Sequence, residues 1–368
     1  MKLLTVVGTR PELIRLSLVL PALERAGVES LLLHTGQNFD ERLSEIFFGE
    51  LDLPAPDAHL GIRVTSVGRQ IGEILAGVEA FMAAQKPDAL LVLGDTNSGL
   101  SAIVAARHGI PIFHMEAGNR CFDWSVPEEK NRKIIDHVST FLLPYTARSR
   151  EYLLAEGLSP QRTFVSGNPI TDVLEHNRSR WQSSDVLDRL RLKPRSYFLV
   201  TAHRQECVDV PERLEVICRG LELIASEFAL PVIVSLHPRT HQRLEEAGRT
   251  LHPTVQLHEP FGFADFVSLE ANALCVITDS GTVQEECSLL KVPAVTCRET
   301  TERPETVECG SNVLCGVTDP VRMLECVRAM TSGWTGWRSP YEGTEHQGVA
   351  ERVARYVVSM GTDQRIST

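Results

Sequence analysis

The sequence predicts an α/β protein built as two doubly wound domains facing a cleft. Short, wholly apolar runs alternate with stretches of helical period, the pattern of parallel strands buried on both faces between crossover helices. The chain has 368 residues, enough for two domains of ordinary size, and a polar helical segment with Pro169 and Pro194 at its ends divides the alternation into two series. The expected partition is 1–167 for the first domain and 168–195 for a hinge. Residues 196–345 follow as the second domain, and 346–368 as a terminal helix packing back on the first domain with a frayed tail over Thr362–Thr368.

The first series opens with Lys2–Val7, then Gly8-Thr9-Arg10-Pro11-Glu12, then one amphipathic helix with Leu13, Leu16, Leu20 and Leu23 on a face. Further strand, turn and helix units follow. Ser30–His34 leads into Thr35-Gly36-Gln37-Asn38, Ala89–Leu93 into Gly94-Asp95-Thr96-Asn97-Ser98, and Pro111–Met115 into Glu116-Ala117-Gly118-Asn119-Arg120. Thr140–Leu143 and Thr163–Ser166 complete this half. The second series runs through Tyr197–Val200 with Thr201-Ala202-His203-Arg204, Val232–Leu236 with His237-Pro238-Arg239, and Val255–Leu257 with the loop Glu259–Phe263. Cys275–Thr278 with Asp279-Ser280-Gly281-Thr282 and Ala294–Thr296 end it, and Gly348–Met360 reads as the final helix. The polar or glycine-rich signatures lie at the C-terminal ends of these strands, the edge of a parallel sheet where ligands bind.

Composition narrows the partners. Apolar residues make up 43% and charged residues 23%, with no run of 18 apolar residues and no signal-peptide design, so a soluble cytoplasmic chain is expected. Nine cysteines without a C-x-x-C pair or a Cys/His cluster at zinc spacing read as small core residues, and no metal is expected. A formal net charge of −11 argues against nucleic acid, whose phosphates need a basic face. No G-x-G-x-x-G follows a strand and no P-loop is present, so no bound cofactor is expected.

What remains is an anionic small molecule held by local donors. The turn Asp279–Thr282 opens directly into a helical pattern, so its free N–H groups and the helix dipole would stabilise a phosphate or carboxylate; the alternative is an ordinary turn capped by Ser280 or Thr282. Arg10, Arg204 and Arg303 also sit in strand-end turns, and the arginine fork suits phosphate oxygens. Asp95, Glu116 and Glu128 suit proton transfer to and from carbon or a sugar hydroxyl, although Asp95 can equally cap a helix and Glu128 or Glu129 lie in a first turn behind Pro127. His203 and His237 are candidate donors to a leaving group.

The motifs G-T-R-P-E (Gly8–Glu12), T-G-Q (Thr35–Gln37), G-D-T (Gly94–Thr96), H-M-E-A-G-N-R (His114–Arg120), V-P-E-E-K-N-R (Val126–Arg132), A-H-R-Q-E (Ala202–Glu206), D-S-G-T-V-Q-E-E (Asp279–Glu286) and T-T-E-R-P-E (Thr300–Glu305) occur in that order. Together they resemble the non-hydrolysing UDP-N-acetylglucosamine 2-epimerases over the chain from its first strand to about Gly316. The resemblance implies two Rossmann-like domains of GT-B type with UDP between them, a homodimer, and interconversion of UDP-GlcNAc and UDP-ManNAc through 2-acetamidoglucal. It implies Asp95, Glu116 and Glu128 as the acid/base set, with His203 and the arginines at the departing diphosphate and Arg132 as a supporting charge. Arg10, Arg15, Arg204, His237, Phe263, Ser280, Gly281, Thr282, Glu286 and Arg303 are the expected substrate contacts, Glu286 accepting from ribose hydroxyls.

Arg15, Cys207 and Thr282 stand where relatives commonly carry lysine, asparagine and glycine. Arg15 and the run His114–Asp123 resemble a neighbouring subgroup acting on UDP-6-deoxy-talosamine-type sugars to give UDP-N-acetyl-L-fucosamine. T-T-E-R-P-E and G-N-P-I (Gly167–Ile170) resemble the UDP-GlcNAc enzymes instead. A hydrolysing 2-epimerase, a GT-B glycosyltransferase and a silent sugar-nucleotide binder are the rival readings.

Overall fold

The computed structural model of the protein describes residues 1–36, 49–64 and 66–361. Gln37, Asn38 and the tail Thr362–Thr368 lie outside the described residues. The chain forms two units, one of Met1–Glu175 together with the chain from Gly343, the other of His176–Glu342. The change of unit thus falls at the end of the helix Ile170–His176, inside the stretch expected to be a hinge.

The first unit holds β1 (Lys2–Val7), β2 (Glu29–His34), β3 (Ala58–His59), β4 (Ala89–Leu93), β5 (Ile112–Met115) and β6 (Phe141–Leu143) in the order β3-β2-β1-β4-β5-β6. All pairings are parallel, with Leu4 opposite both Leu31 and Leu90. These strands are continuous apolar runs because helices cover both sheet faces: Leu4, Val6, Leu90 and Val92 pack with Ile74, Val78 and Met82 of the helix Val67–Gln85. Each such side chain contributes roughly 2 kcal/mol by leaving water. The chain winds outward from β1 to β3, then returns to β4 and winds the other way, so the order reverses between β1 and β4.

Two expectations differ here. The single helix after β1 is two helices, Arg10–Leu16 and Val19–Arg25. Pro21 removes an N–H and its ring excludes the carbonyl of Ser17 from a continuing helix, so the chain breaks at Ser17-Leu18. The expected strand Thr163–Ser166 is a single parallel bridge, Leu142 to Thr163. Phe164 and Ser166 donate to the carbonyls of Leu142 and Pro144, but Pro144 has no N–H to return and the ladder stays one-sided. The last helix, Val349–Gly361, packs on the helix Val19–Arg25, with Tyr356 stacked on Phe164 at 4.5 Å.

The second unit repeats the plan. β7 (Phe198–Thr201), β8 (Val232–Ser235), β9 (Val255–His258), β10 (Cys275–Thr278), β11 (Ala294–Thr296) and β12 (Asn312–Leu314) lie in the order β12-β11-β10-β7-β8-β9, all parallel. Alternation assigns the faces. Phe198, Val200, Ile277 and Val295 meet the helices Pro211–Phe228 and Pro320–Met330, while Leu199, Val276 and Ala294 meet Leu269 and Val283. The order reverses between β7 and β10. All nine cysteines are unbridged thiols, buried or half-buried. Among the described residues no helix is long and apolar enough to cross a membrane, and no group of three or more His, Cys, Asp or Glu is placed to hold a metal.

The turn after β5 tolerates only glycine at position 118. Gly118 has φ +80, and a Cβ there would lie 2.3 Å from the carbonyl oxygen of Ser149, a backbone atom that cannot swing away. Gly118→Ala is expected to lower the unfolding free energy by at least about 2 kcal/mol in urea titrations.

Candidate active site

Ligands of open parallel sheets bind beyond the C-terminal ends of the strands where the strand order reverses. In the first unit those are the ends of β1 and β4. The turn after β1 is held by Glu12, whose Oε2 accepts from the N–H groups of Gly8 (2.9 Å) and Thr9 (2.7 Å) and from the Thr9 hydroxyl, while the Thr96 hydroxyl from the end of β4 donates to Oε1 at 3.0 Å. This capping box fixes Arg10, the next residue, at the first position of its helix. Burial pushes the Glu12 carboxyl up to about 7 despite those four bonds.

One turn further on, Arg15 points inward and pairs with Glu116, both nearly excluded from water. The Arg15 guanidinium lies 5.7 Å from the centre of the Tyr145 ring, and Asn119 donates to the other Glu116 oxygen at 3.2 Å. Glu116 directly follows the last residue of β5, and its φ of +65 is left-handed, uncommon and costly for a residue with a Cβ. Asp95, at the end of the adjacent β4, accepts from Nε of Arg132 at 2.8 Å, and a terminal nitrogen of the same guanidinium lies 2.8 Å from the same oxygen as an ion pair. The remaining arm of Arg132 goes to Glu129 at 2.8 Å. Glu129 is buried and also accepts from the N–H groups of Cys121 and Phe122, so of the two acids in the first turn of the helix Pro127–Val138 it is the structural one. Glu128, its neighbour, is half-buried.

Behind this shell lies a buried relay the sequence reading did not single out. His114 contacts Asp136 at 2.8 Å and the carbonyl of Gly94 at 2.9 Å, and Asp136 meets Arg120 at 2.7 Å. Burial alone would raise the Asp136 carboxyl, but His114 and Arg120 outweigh it and hold it below the ordinary carboxylate range. The Gly94 carbonyl precedes Asp95 and the Gly118 N–H donates to Asp136, so the relay fixes both strand-end turns.

In the second unit the corresponding ends belong to β7 and β10. Asp279, wholly buried, accepts from the N–H groups of His203 and Arg204 at 2.7 Å each through one oxygen, and its other oxygen lies 3.5 Å from Nδ1 of His203. The His203 ring stacks on His237 with centroids 5.2 Å apart. His237 caps the helix Pro238–Glu246 by accepting from the Arg239 N–H. Ser280 is the N-cap of the helix Gly281–Leu290, and its side chain makes no capping bond. A Cβ at Gly281 would lie 2.6 Å from a carboxyl oxygen of Glu302 and 3.3 Å from the guanidinium carbon of Arg303, so those side chains would have to shift. Thr282 follows in the first turn, half-buried.

The arginines divide. Arg303 lies under the Gly281 turn with Nε 2.5 Å from Glu285, and Glu302 also takes Arg204 at 3.2 Å and Arg298 at 2.7 Å. Arg303 is therefore buried within unit-internal ion pairs, and Arg204 keeps partial exposure. Phe263 is buried at the start of the helix Phe263–Asn272, and Glu286 is buried on the helix that begins at Gly281.

The sequence model of the family described as UDP-N-acetylglucosamine 2-epimerase matches residues 21–356. The chain belongs to this family. The UDP-N-acetylglucosamine 2-epimerase of Methanocaldococcus jannaschii is 39% identical over 96% of this chain and 98% of its own length. The crystal structure of the Methanocaldococcus jannaschii UDP-GlcNAc 2-epimerase in complex with UDP-GlcNAc and UDP superimposes with a TM-score of 0.92 at 38% identity, covering 98% of this chain and all of that one. A UDP-2,3-diacetamido-2,3-dideoxy-D-glucuronate 2-epimerase of Pseudomonas aeruginosa is 37% identical over 86% of this chain and 88% of its own length.

Within the family frame, Asp95, Glu116, Arg15 and Arg132 are gathered in the first unit, and His203, His237, Ser280 and Gly281 in the second. Glu12, Glu129, Asp136 and Asp279 are the supports that sequence reasoning missed, although Glu12, Glu129 and Asp279 lie within quoted motifs.

The raised Glu12 carboxyl has a measurable sign. A group protonated more readily in the folded than in the unfolded chain loses its stabilising effect as pH rises, here from about 4.5 to about 7, by up to about 3 kcal/mol. Urea unfolding at pH 5 and pH 8 is expected to show this decline in the wild type and a correspondingly smaller one in Glu12→Gln.

Proposed function

We propose that the protein interconverts UDP-GlcNAc and UDP-ManNAc as a non-hydrolysing 2-epimerase, acting in the cytoplasm as a homodimer. The observation that carries this reading is the division of labour between the two strand-end sites: carboxylates held by buried arginines at the ends of β4 and β5, and histidine with a helix N-terminus at the ends of β7 and β10. The Methanocaldococcus jannaschii relative, solved with UDP-GlcNAc and UDP, supports the substrate.

The C2 hydrogen of the sugar is not beside a carbonyl, so it is not acidic enough for direct removal. The C1–O bond to UDP breaks with its electron pair leaving on the diphosphate. The C2 proton passes to a carboxylate, and its bonding pair becomes the C1=C2 bond of 2-acetamidoglucal. UDP then adds back at C1 while a proton arrives at C2 on the other face, so no redox cofactor is consumed. Asp95, Glu116 and Glu128 serve the proton transfers, with Arg15 and Arg132 fixing the first two. His203, Arg10, Arg204, Ser280 and the N–H groups of the helix Gly281–Leu290 stabilise the leaving diphosphate, and Glu286 accepts from the ribose. Arg15 in the lysine position keeps a UDP-6-deoxy-talosamine-type sugar as the second substrate to try.

Proton NMR of the purified protein with UDP-GlcNAc in D2O, without NAD or added metal, is expected to show UDP-ManNAc carrying deuterium at C2. Accumulation of free ManNAc and UDP would replace this reading with hydrolysis, and an unchanged spectrum would move the test to the second substrate. Glu116→Gln is expected to lower kcat by about 10²-fold to 10⁴-fold while UDP still binds; survival of turnover would remove Glu116 from the acid/base set.

A further inference from the structure

The buried relay behind the carboxylates contains a histidine whose two ring nitrogens both face acceptors. His114, the last residue but one of β5, is 1% exposed. Its Nε2 lies 2.9 Å from the Gly94 carbonyl, an oxygen that can only accept, so that nitrogen carries a hydrogen. Nδ1 lies 2.8 Å from Oδ1 of Asp136. The other Asp136 oxygen takes the Gly118 N–H at 3.2 Å and stands 2.7 Å from the Arg120 guanidinium, a permanent cation, so the carboxyl is ionised and Oδ1 accepts as well. A neutral ring would set its Nδ1 lone pair against that oxygen. Both nitrogens therefore donate, and the ring is an imidazolium.

The charges around the ring call for a cation at this place. Arg120 is shared between two acids: Glu156 accepts from its Nε at 2.9 Å and from a terminal nitrogen at 2.7 Å. From the helix Pro127–Val138, Lys133 donates to Glu156 at 2.6 Å, and Nε2 of His137 lies 4.0 Å from the same carboxylate. Asp136, wholly buried, has only its part of Arg120, and the imidazolium completes its neutralisation.

The relay reaches the reacting edge through one peptide. The Gly94 N–H donates to the Met115 carbonyl at 3.0 Å and the Gly94 carbonyl takes His114, so both polar groups of this residue are held from β5. Asp95 follows directly, its own carbonyl accepting from Asn131 at 2.9 Å. A hydrogen bond from a charged donor is roughly twice as strong as a neutral one. We propose that His114 is a positioning residue for the epimerisation: its imidazolium, anchored on Asp136, locks the Gly94–Asp95 peptide and thereby aims the Asp95 carboxylate. The proposal rests on the reading that Asp95 takes part in the proton transfers.

Nitrogen-15 NMR of histidine-labelled protein and kinetics of His114→Gln test this. At pH 8 an ordinary histidine is about 97% neutral. Wild type is expected to keep a histidine protonated at both ring nitrogens at that pH, its signal missing from His114→Gln. A wild-type spectrum in which all 12 histidines are neutral would overturn the proposal, whether or not the variant folds. Glutamine offers one donor nitrogen and one acceptor oxygen where the ring offers two donor nitrogens, so kcat with UDP-GlcNAc is expected to fall by about 10²-fold with KM within about threefold. In an Asp95→Asn background the same substitution is expected to cost less than about threefold, because the group it positions is already gone. A loss of equal size in both backgrounds, or one that falls on KM, would show a structural role alone and overturn the positioning role. An Asp95→Asn enzyme as fast as wild type would overturn the reading of Asp95 instead.

Discussion

Each sheet ends in a buried carboxylate that grips two consecutive backbone N–H groups of the strand-end loop. In the first unit Glu12 holds Gly8 and Thr9, and in the second Asp279 holds His203 and Arg204. Each clamp supplies acceptors to N–H groups that lose their ladder partners where the chain leaves the sheet. The clamp also sets direction. Arg10 and His203, the side chains assigned to the leaving group, sit on or beside clamped peptides, so their placement follows from backbone geometry rather than from loose rotamers.

The same economy governs charge. A protein with a formal net charge of −11 that is to hold a diphosphate cannot rely on a general basic field, and most of the arginines near its strand ends are already committed to carboxylates. These pairs act as rigid struts: Arg132 ties Asp95 to Glu129, and Glu302 gathers Arg204, Arg298 and Arg303 beneath the Gly281 turn. Removing one member would strand the other in a dry environment, which costs far more than an exposed pair is worth. In the proposed reading the anion is left to helix N–H groups, His203 and the two arginines that keep partial exposure, Arg10 and Arg204.

Most of the fold was legible because wholly apolar runs such as Leu90–Leu93 and Cys275–Thr278 have no alternative in a protein of this composition. The misses have local causes. Ala58–His59 and Asn312–Leu314 are too short and too mixed to stand out as strands, and Pro144 and Pro21 each alter hydrogen bonding several residues from where the hydrophobic pattern is read. At the site, the reactive residue types were visible in their motifs, but their supports were not. Asp279 acts on peptides 75 and 76 residues away, and Asp136 on His114 22 residues away, separations that periodicity cannot detect. Arg303 adds a case of the same kind: its ion pairs with Glu285 and Glu302 are not visible in the spacing of the motifs.

Glu116 combines two demands that conflict. Its carboxylate is the one proposed here for proton transfer, while its backbone, at φ +65, would be more comfortable as glycine or asparagine. A library screened only for heat resistance would therefore be drawn toward inert sequences at this position, and a thermostable descendant that still turns over has to find its gain elsewhere in the chain.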